Sequence, residues 1–215
     1  MIGQTTGQKA VFGLALVVGL TYTFASHAGL PADLQTVWKG LGVSLLALWC
    51  ALQAQSRDGW LIAAVMAFGA LGDVLFETSG MTMAALAFAV GHLVAIMLYS
   101  RNRRAVTSLS QLLLGLALLI GVPLVSWGLT RSLDVTFYSG LLGAMASTAW
   151  TSRFPRYRTG IGAVMFVVSD WLIFARIGPL AGSAWVSPAI WLLYFGGQAL
   201  IATGVVRTLA TSDAE

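Results

Sequence analysis

The sequence predicts an all-α, polytopic membrane protein of about eight transmembrane helices packed in one bundle. Of its 215 residues, 58% are hydrophobic and only 9% are charged, whereas soluble domains carry about 25% charged residues. The apolar residues stand in continuous runs, and a helix that crosses a bilayer needs about 20 such residues. Because the runs do not alternate with polar residues, they indicate helices rather than the strands of a membrane β-barrel.

Short connections separate the apolar runs, which predicts one integral-membrane domain over residues 1–215. The third run carries Asp73, the fourth His92, the seventh Asp170, and the eighth Tyr194 and Gln198. In chain order, the predicted spans cover about 10–27, 37–54, 59–76, 81–99, 109–129, 136–152, 159–177 and 187–207.

The first span has an alternative interpretation. Lys9, the apolar run 10–24 and the small residues around Ser26-His27-Ala28 resemble a secretion signal with its cleavage site. Seven further spans would remain after cleavage. Retention of the first span gives the cleaner distribution of charge and is the prediction adopted.

Basic residues predict the orientation of the helices. If the N-terminus, the even-numbered loops and the C-terminus share one side, nine of the twelve basic residues lie there. The positive-inside rule then places both termini in the cytoplasm, and in a bacterium the membrane would be the inner (cell) membrane. The net charge of +4 therefore reflects topology, and no nucleic-acid partner is predicted. The nine are Lys9, Arg57, Arg101, Arg103, Arg104, Arg153, Arg156, Arg158 and Arg207, against Lys39, Arg131 and Arg176.

Two aspartates lie inside spans, Asp73 within Phe68–Phe76 and Asp170 within Phe166–Phe174. A carboxylate at bilayer depth costs roughly 2.5–3.5 kcal/mol on insertion scales. Two of them without an obvious buried cation indicate use in function. The alternative is a structural role as hydrogen-bond or ion-pair partners between helices.

A faint internal repeat relates the two aspartates. Gly72-Asp73 corresponds to Ser169-Asp170, and Gly91-His92 corresponds to Gly197-Gln198. An offset of four spans predicts two parallel halves related by an axis along the membrane normal. The aspartates then fall in equivalent helices, three and seven, in the outer half of the membrane.

Further polar side chains share the faces of these helices. Intramembrane polar groups face the bundle interior or a wet cavity, because lipid offers them no partners. One cavity, open toward the outer leaflet, is therefore predicted to be lined by several side chains. For each of them the alternative role is helix packing, solvation or an interhelical hydrogen bond. They are Glu77, His92, Tyr99, Ser169, Trp171, Tyr194 and Gln198.

Other kinds of site have little support in the sequence. Cys50, the only cysteine, is predicted to be a small buried hydrophobic side chain. Asp73, Glu77, His92 and Asp170 offer metal ligands, but no His-rich or HExxH pattern accompanies them, and no metal or cofactor is predicted. The sequence lacks a nucleophile elbow, a P-loop and a Rossmann fingerprint.

Paired carboxyl groups support two kinds of chemistry. When they lie close together they cannot both ionise easily, so the pair holds one proton and presents an acid beside a base. Hydrolysis through an oxocarbenium-like transition state uses such a pair. Proton-coupled transport of a lipid or small molecule is the alternative. The four-plus-four repeat favours transport, whereas Pro123 and Pro188 do not break helices at matching positions.

The order and spacing of these motifs over the whole chain resemble the YhhN-like lysoplasmalogenase family. The motifs are Gly72-Asp73, Gly91-His92, Ser169-Asp170 and Tyr194-x-x-x-Gln198. One departure is Lys39-Gly40, where family members often have Lys-Pro.

The resemblance implies hydrolysis of the vinyl ether bond of lysoplasmalogens to a fatty aldehyde and a glycerophospho-base. It implies Asp73 and Asp170 as catalytic carboxyl groups, with His92, Tyr194 and Gln198 in support. Glu77, Ser169 and Trp171 are candidates from their positions, Trp171 as a cation–π partner for a choline or a developing cation. The expected partners are a lysophospholipid substrate and membrane lipids. The headgroup and the oligomeric state stay open.

Overall fold

The computed structural model describes residues 5–25 and 28–212, which form helices and no strand. The all-α prediction is thereby confirmed. The predicted cleavage site falls largely on Ser26 and His27, outside the described residues. The helices are α1 Thr6–Ala25, α2 Ala32–Ala51, α3 Arg57–Thr78, α4 Met81–Arg101, α5 Leu109–Thr130, α6 Leu133–Thr151, α7 Ile161–Arg176 and α8 Val186–Ser212, with a π-helical turn Arg156–Gly160 before α7.

Local sequence explains where several helices begin. Ser56 accepts a hydrogen bond from the backbone N–H of Gly59 (3.3 Å) and caps α3. Before α5, the side chain of Gln111 accepts one from the backbone N–H of Ser108 (3.1 Å). These bonds satisfy backbone and capping groups that the first helical turn leaves without partners.

Helix α2 begins at Ala32, earlier than the predicted start near residue 37. Lys39 therefore lies inside the helix and not at its entrance. Gly40 follows it and lies so close to α3 that an added Cβ would come within 2.7 Å of a methyl group of Val74. The glycine allows the two helices to approach at the level of the lysine.

Within residues 5–25 and 28–212, seven helices are long and apolar enough to cross a membrane, α7 being counted together with the π-helical turn before it, which indicates an integral multi-pass membrane protein. Helix α6 is the exception, because its 19 residues include Asp134 and several hydroxyl side chains. The backbone N–H of Arg153, after α6, donates to the carbonyl of Asn102, before α5 (2.8 Å). Since α5 leaves this point and α6 returns to it, α6 runs back along α5, its main packing partner, over about 28 Å.

Contacts between residues divide the chain into two compact units. The first comprises residues 1–94 and 202–215, and the second comprises residues 95–201. In the first unit, α2 packs against α1 and α3. In the second, α7 packs against α5 and α6, and its Gly162 meets Gly197 of α8 so closely that an added Cβ would lie 2.6 Å from the Gly197 carbonyl oxygen. The single domain and the parallel repeat remain predictions.

Candidate functional site

In the first unit, Asp73 is buried within α3, with 3% of its surface exposed. Gly72 precedes it, and the ring of Phe88 from α4 lies where a Cβ of Gly72 would stand, at 2.7 Å. The helices are therefore in close contact at the level of this carboxyl group. Small residues at helix contacts in membranes permit such an approach.

Tyr22 of α1 is a neighbour that the sequence analysis missed. Its half-buried phenol interacts electrostatically with both Glu77 and Asp73. A tyrosine near the end of a predicted first span resembles an ordinary interfacial residue, so position alone gave no reason to select it. A phenol beside two carboxyl groups supplies a hydrogen-bond donor to this part of the molecule.

Lys39 and Glu77 form an ion pair between α2 and α3, with Nζ 2.6 Å from Oε1. The lysine side chain is 14% exposed and the glutamate side chain 38%. The ammonium group also lies 4.6 Å from the centre of the Phe76 ring. This pair was not predicted from the sequence, where Glu77 was a candidate for the site or a solvated side chain.

His92 and Tyr99 belong to different units, although the sequence places both on one face of α4. His92 is buried in the first unit. Tyr99 is fully buried in the second, edge-on to the ring of Phe154 with the ring centres 6.1 Å apart. Its hydroxyl has no hydrogen-bond partner among the described residues.

In the second unit, Asp170 is buried within α7, with 6% of its surface exposed. The hydroxyl of Tyr138 from α6 donates a hydrogen bond to its Oδ2 over 2.8 Å. Tyr138 was not among the predicted site residues. The signal that could have found it is the unusual polarity of α6. A carboxyl group buried in the membrane needs a hydrogen-bond donor from a neighbouring helix, and a helix with several polar side chains can supply one.

The two neighbours of Asp170 in sequence also donate hydrogen bonds to backbone carbonyls. The Ser169 hydroxyl donates to the backbone carbonyl of Phe166 in the same helix (2.7 Å). The indole N–H of Trp171 donates to the carbonyl of Val122 in α5 (3.4 Å), immediately before Pro123. The Ser169 bond stays within α7 and the Trp171 bond links α7 to α5, so both residues have structural partners whether or not they also meet a substrate.

Tyr194 and Gln198 lie one turn apart on α8 and face α7. The Tyr194 ring packs edge-on to Phe166, with the ring centres 5.2 Å apart. Since Phe166 is four residues before Asp170, Tyr194 lies about one helical turn from the carboxyl group. Gln198 is 2% exposed, and its Oε1 has no hydrogen-bond partner among the described residues. A buried amide oxygen of this kind is available to accept a hydrogen bond from a ligand.

Each unit therefore contains a buried aspartate with a phenol nearby, Asp73 with Tyr22 and Asp170 with Tyr138. Across residues 5–25 and 28–212, no three His, Cys, Asp or Glu side chains come together to form a group that could hold a metal ion. The carboxyl group and the phenol of each cluster can donate and accept protons.

Comparison with known proteins identifies the chain. The sequence model of the YhhN family matches residues 34–205, which is most of the chain. No curated protein and no solved structure matches it.

Proposed function

The chain belongs to the YhhN family, and from that premise we propose that it is a membrane-embedded lysoplasmalogenase. In this proposal it hydrolyses the vinyl ether bond of 1-alkenyl lysophospholipids to a fatty aldehyde and a glycerophospho-base. The observation that carries the proposal is the Asp170 carboxyl group, buried in an apolar helix and hydrogen-bonded to the Tyr138 hydroxyl. A carboxyl group in such a setting is suited to transfer a proton away from bulk water.

The reaction begins at carbon. A carboxylic acid transfers its proton to the β carbon of the vinyl ether, and the electron pair of the double bond forms the new C–H bond. The α carbon becomes an oxocarbenium ion, which a carboxylate stabilises. Water adds to that carbon, returns a proton to a carboxylate and gives a hemiacetal. The hemiacetal collapses to the aldehyde, and the glycerol oxygen leaves with a proton.

We assign the two carboxyl groups that act in this reaction to Asp73 and Asp170. Tyr138 acts as a positioning residue, because its hydroxyl donates a hydrogen bond to the Asp170 carboxyl group. Tyr22, which interacts electrostatically with Asp73, is assigned the same role. Gln198 offers its unpaired amide oxygen as an acceptor for a substrate hydroxyl. His92, Tyr194, Ser169, Trp171 and Glu77 remain supporting candidates.

The substrate is a single-chain amphiphile, which fits an enzyme whose helices cross the membrane. We propose that it enters laterally from the bilayer, with both termini of the protein in the cytoplasm and the aspartates in the outer half of the membrane. The distribution of basic residues supports this orientation.

Incubation of the purified protein with a lysoplasmalogen in heavy water tests the proposal. Each aldehyde released should carry one deuterium on the carbon next to the carbonyl, because that carbon accepts the transferred proton. Immediate reduction to the alcohol prevents later exchange. A saturated ether analogue should bind and not react, since it cannot form the stabilised cation.

Two outcomes would contradict the proposal. Cleavage of an acyl lysophospholipid at a similar rate would mean that another bond is attacked. Uptake of the lipid into proteoliposomes without any aldehyde would favour proton-coupled transport instead.

A further inference from the structure

Six arginines gather where two loops of the second unit meet. One loop joins α4 to α5, and the other joins α6 to α7 through the π-helical turn. We call these side chains the basic platform: Arg101, Arg103, Arg104, Arg153, Arg156 and Arg158.

Hydrogen bonds hold the two loops together. The backbone N–H and the Nε of Arg153 donate to the backbone and side-chain oxygens of Asn102, at 2.8 and 2.7 Å. The Nε of Arg104 donates to the carbonyl of Ser152 (3.3 Å). Asn102 is itself buried and donates to the carbonyl of Leu98 (2.9 Å). Loops some 50 residues apart in sequence therefore have a defined mutual geometry.

The segments around the basic platform contain no acidic residue. The chain has no Asp or Glu between Glu77 and Asp134, and none between Asp134 and Asp170. Basic residues that only set the sidedness of the helices need no fixed geometry, because the positive-inside rule depends on their number. Their arrangement on two bonded loops is a property that the rule does not explain.

Exposed apolar side chains accompany the arginines. Val106 is 83% exposed, Leu109 71% and Tyr157 81%. Tyrosine favours the boundary between membrane and water, where its ring contacts lipid and its hydroxyl contacts water. These side chains, in the same loops or at the start of α5, favour a membrane surface over a soluble anion as the partner.

We propose that the basic platform binds the phosphate groups of anionic membrane lipids. The guanidinium groups of Arg103, Arg156 and Arg158, from both loops, supply paired N–H donors that match phosphate oxygens. Tyr157 and Val106 contact the glycerol and acyl region. The bound lipid then links the ends of α4, α5, α6 and α7 and stabilises the second unit.

Native mass spectrometry of the purified full-length protein, titrated with phosphatidylglycerol or phosphatidylcholine in mixed micelles, tests the proposal. Phosphatidylglycerol should bind more tightly and raise the unfolding temperature. The double variant Arg103→Gln/Arg158→Gln should weaken its binding by about 25-fold, or about fivefold for each arginine. Binding of phosphatidylcholine should change little.

Arg131→Asn/Arg176→Gln is the matched control, because it removes two charges at the opposite ends of α5 and α7. Asn is suitable at residue 131, whose φ of 53° is left-handed. The control should leave the preference for phosphatidylglycerol unchanged.

A third variant separates geometry from charge. Asn102→Ala keeps every arginine and removes the side-chain bond to Arg153, so it should weaken binding without any change in net charge. If it does not fold, Arg103→Lys/Arg158→Lys serves instead and should bind with intermediate affinity. Equal binding of the two lipids, an equal loss in the control, or full displacement by inorganic phosphate would overturn the proposal.

Discussion

The hydroxyl of Tyr138 donates a hydrogen bond to Oδ2 of Asp170 over 2.8 Å, and both side chains lie within helices of the second unit. A carboxyl group in an apolar helix has few candidate partners, so this bond is a main determinant of its orientation. The proposed chemistry of the carboxyl group therefore depends on the packing of α6 against α7.

Tyr138→Phe removes this donor and retains the ring. Loss of a hydrogen bond to a charged or ionisable group costs roughly 1.5–3 kcal/mol. We therefore expect kcat to fall by about 10- to 100-fold, with a lower unfolding temperature. Tyr157→Phe removes a hydroxyl from an exposed ring and is the control. Equal activity of the two variants would remove Tyr138 from the mechanism.

Asp73→Asn and Asp170→Asn should each abolish aldehyde release while the protein still inserts and purifies. Asn keeps the size of the side chain and loses the acid and the charge. Unfolding temperatures should hold or rise, because a carboxylate at membrane depth is costly. Asp33→Asn and Asp134→Asn, in the first turns of α2 and α6, should stay active. Near-normal turnover in either test variant would refute the two-carboxylate assignment.

The Lys39–Glu77 pair is expected to hold α2 against α3. Lys39→Met or Glu77→Leu alone leaves one charge unpaired and should lower stability by about 1–2 kcal/mol. This is less than the 3–5 kcal/mol of a fully buried pair, because Glu77 is partly exposed. The double variant Lys39→Met/Glu77→Leu should recover most of the loss.

Activity of the double variant then decides the role of Glu77. We expect activity to return together with stability, since the partner of Glu77 in the structure is a lysine. Activity that stays low after stability has recovered would assign the carboxylate or the ammonium a part in the reaction.

Hydrophobic length predicted the helices well, because about 20 apolar residues leave the backbone no other way to satisfy its polar groups in lipid. It failed for the start of α2 at Ala32, since the first turn of this helix carries Asp33 and Gln35 and resembles a loop. The later predicted start put Lys39 at the entrance of α2, whereas it lies well inside the helix, where it pairs with Glu77.

The partners of the candidate residues were harder to predict than the residues themselves. Asp73 and Asp170 stand out because a charge in an apolar run is costly. Tyr138 and Tyr22 do not, because tyrosine is common in membrane helices. The role of its hydroxyl depends on which side chains of the neighbouring helix it contacts. Contacts between helices depend on rotation and register, which apolar composition does not encode.

Gly162 allows α7 and α8 to touch through their backbones, because an added Cβ would lie 2.6 Å from the Gly197 carbonyl oxygen. Gly162→Ala must push the helices apart and should lower the unfolding temperature and disturb Tyr194 against Phe166. Gly121→Ala in α5 is the control, since nothing lies within 4 Å of its added Cβ. That variant should be neutral or stabilising by up to about 1 kcal/mol. Equal stability of the two variants would contradict the packing.

The last prediction concerns the path of α5 and α6 through the membrane. Reporters inserted after Arg153 and fused after Glu215 should both be cytoplasmic, and one inserted between α5 and α6 after Arg131 should lie on the opposite side. The bond between Arg153 and Asn102 keeps the ends of the two helices together, and α5 is apolar enough to cross. Helix α6 must then cross in return, despite its polar residues. Reporters after Arg131 and Arg153 on one side would mean that α6 does not cross. A C-terminus outside the cytoplasm would contradict the orientation predicted from the basic residues.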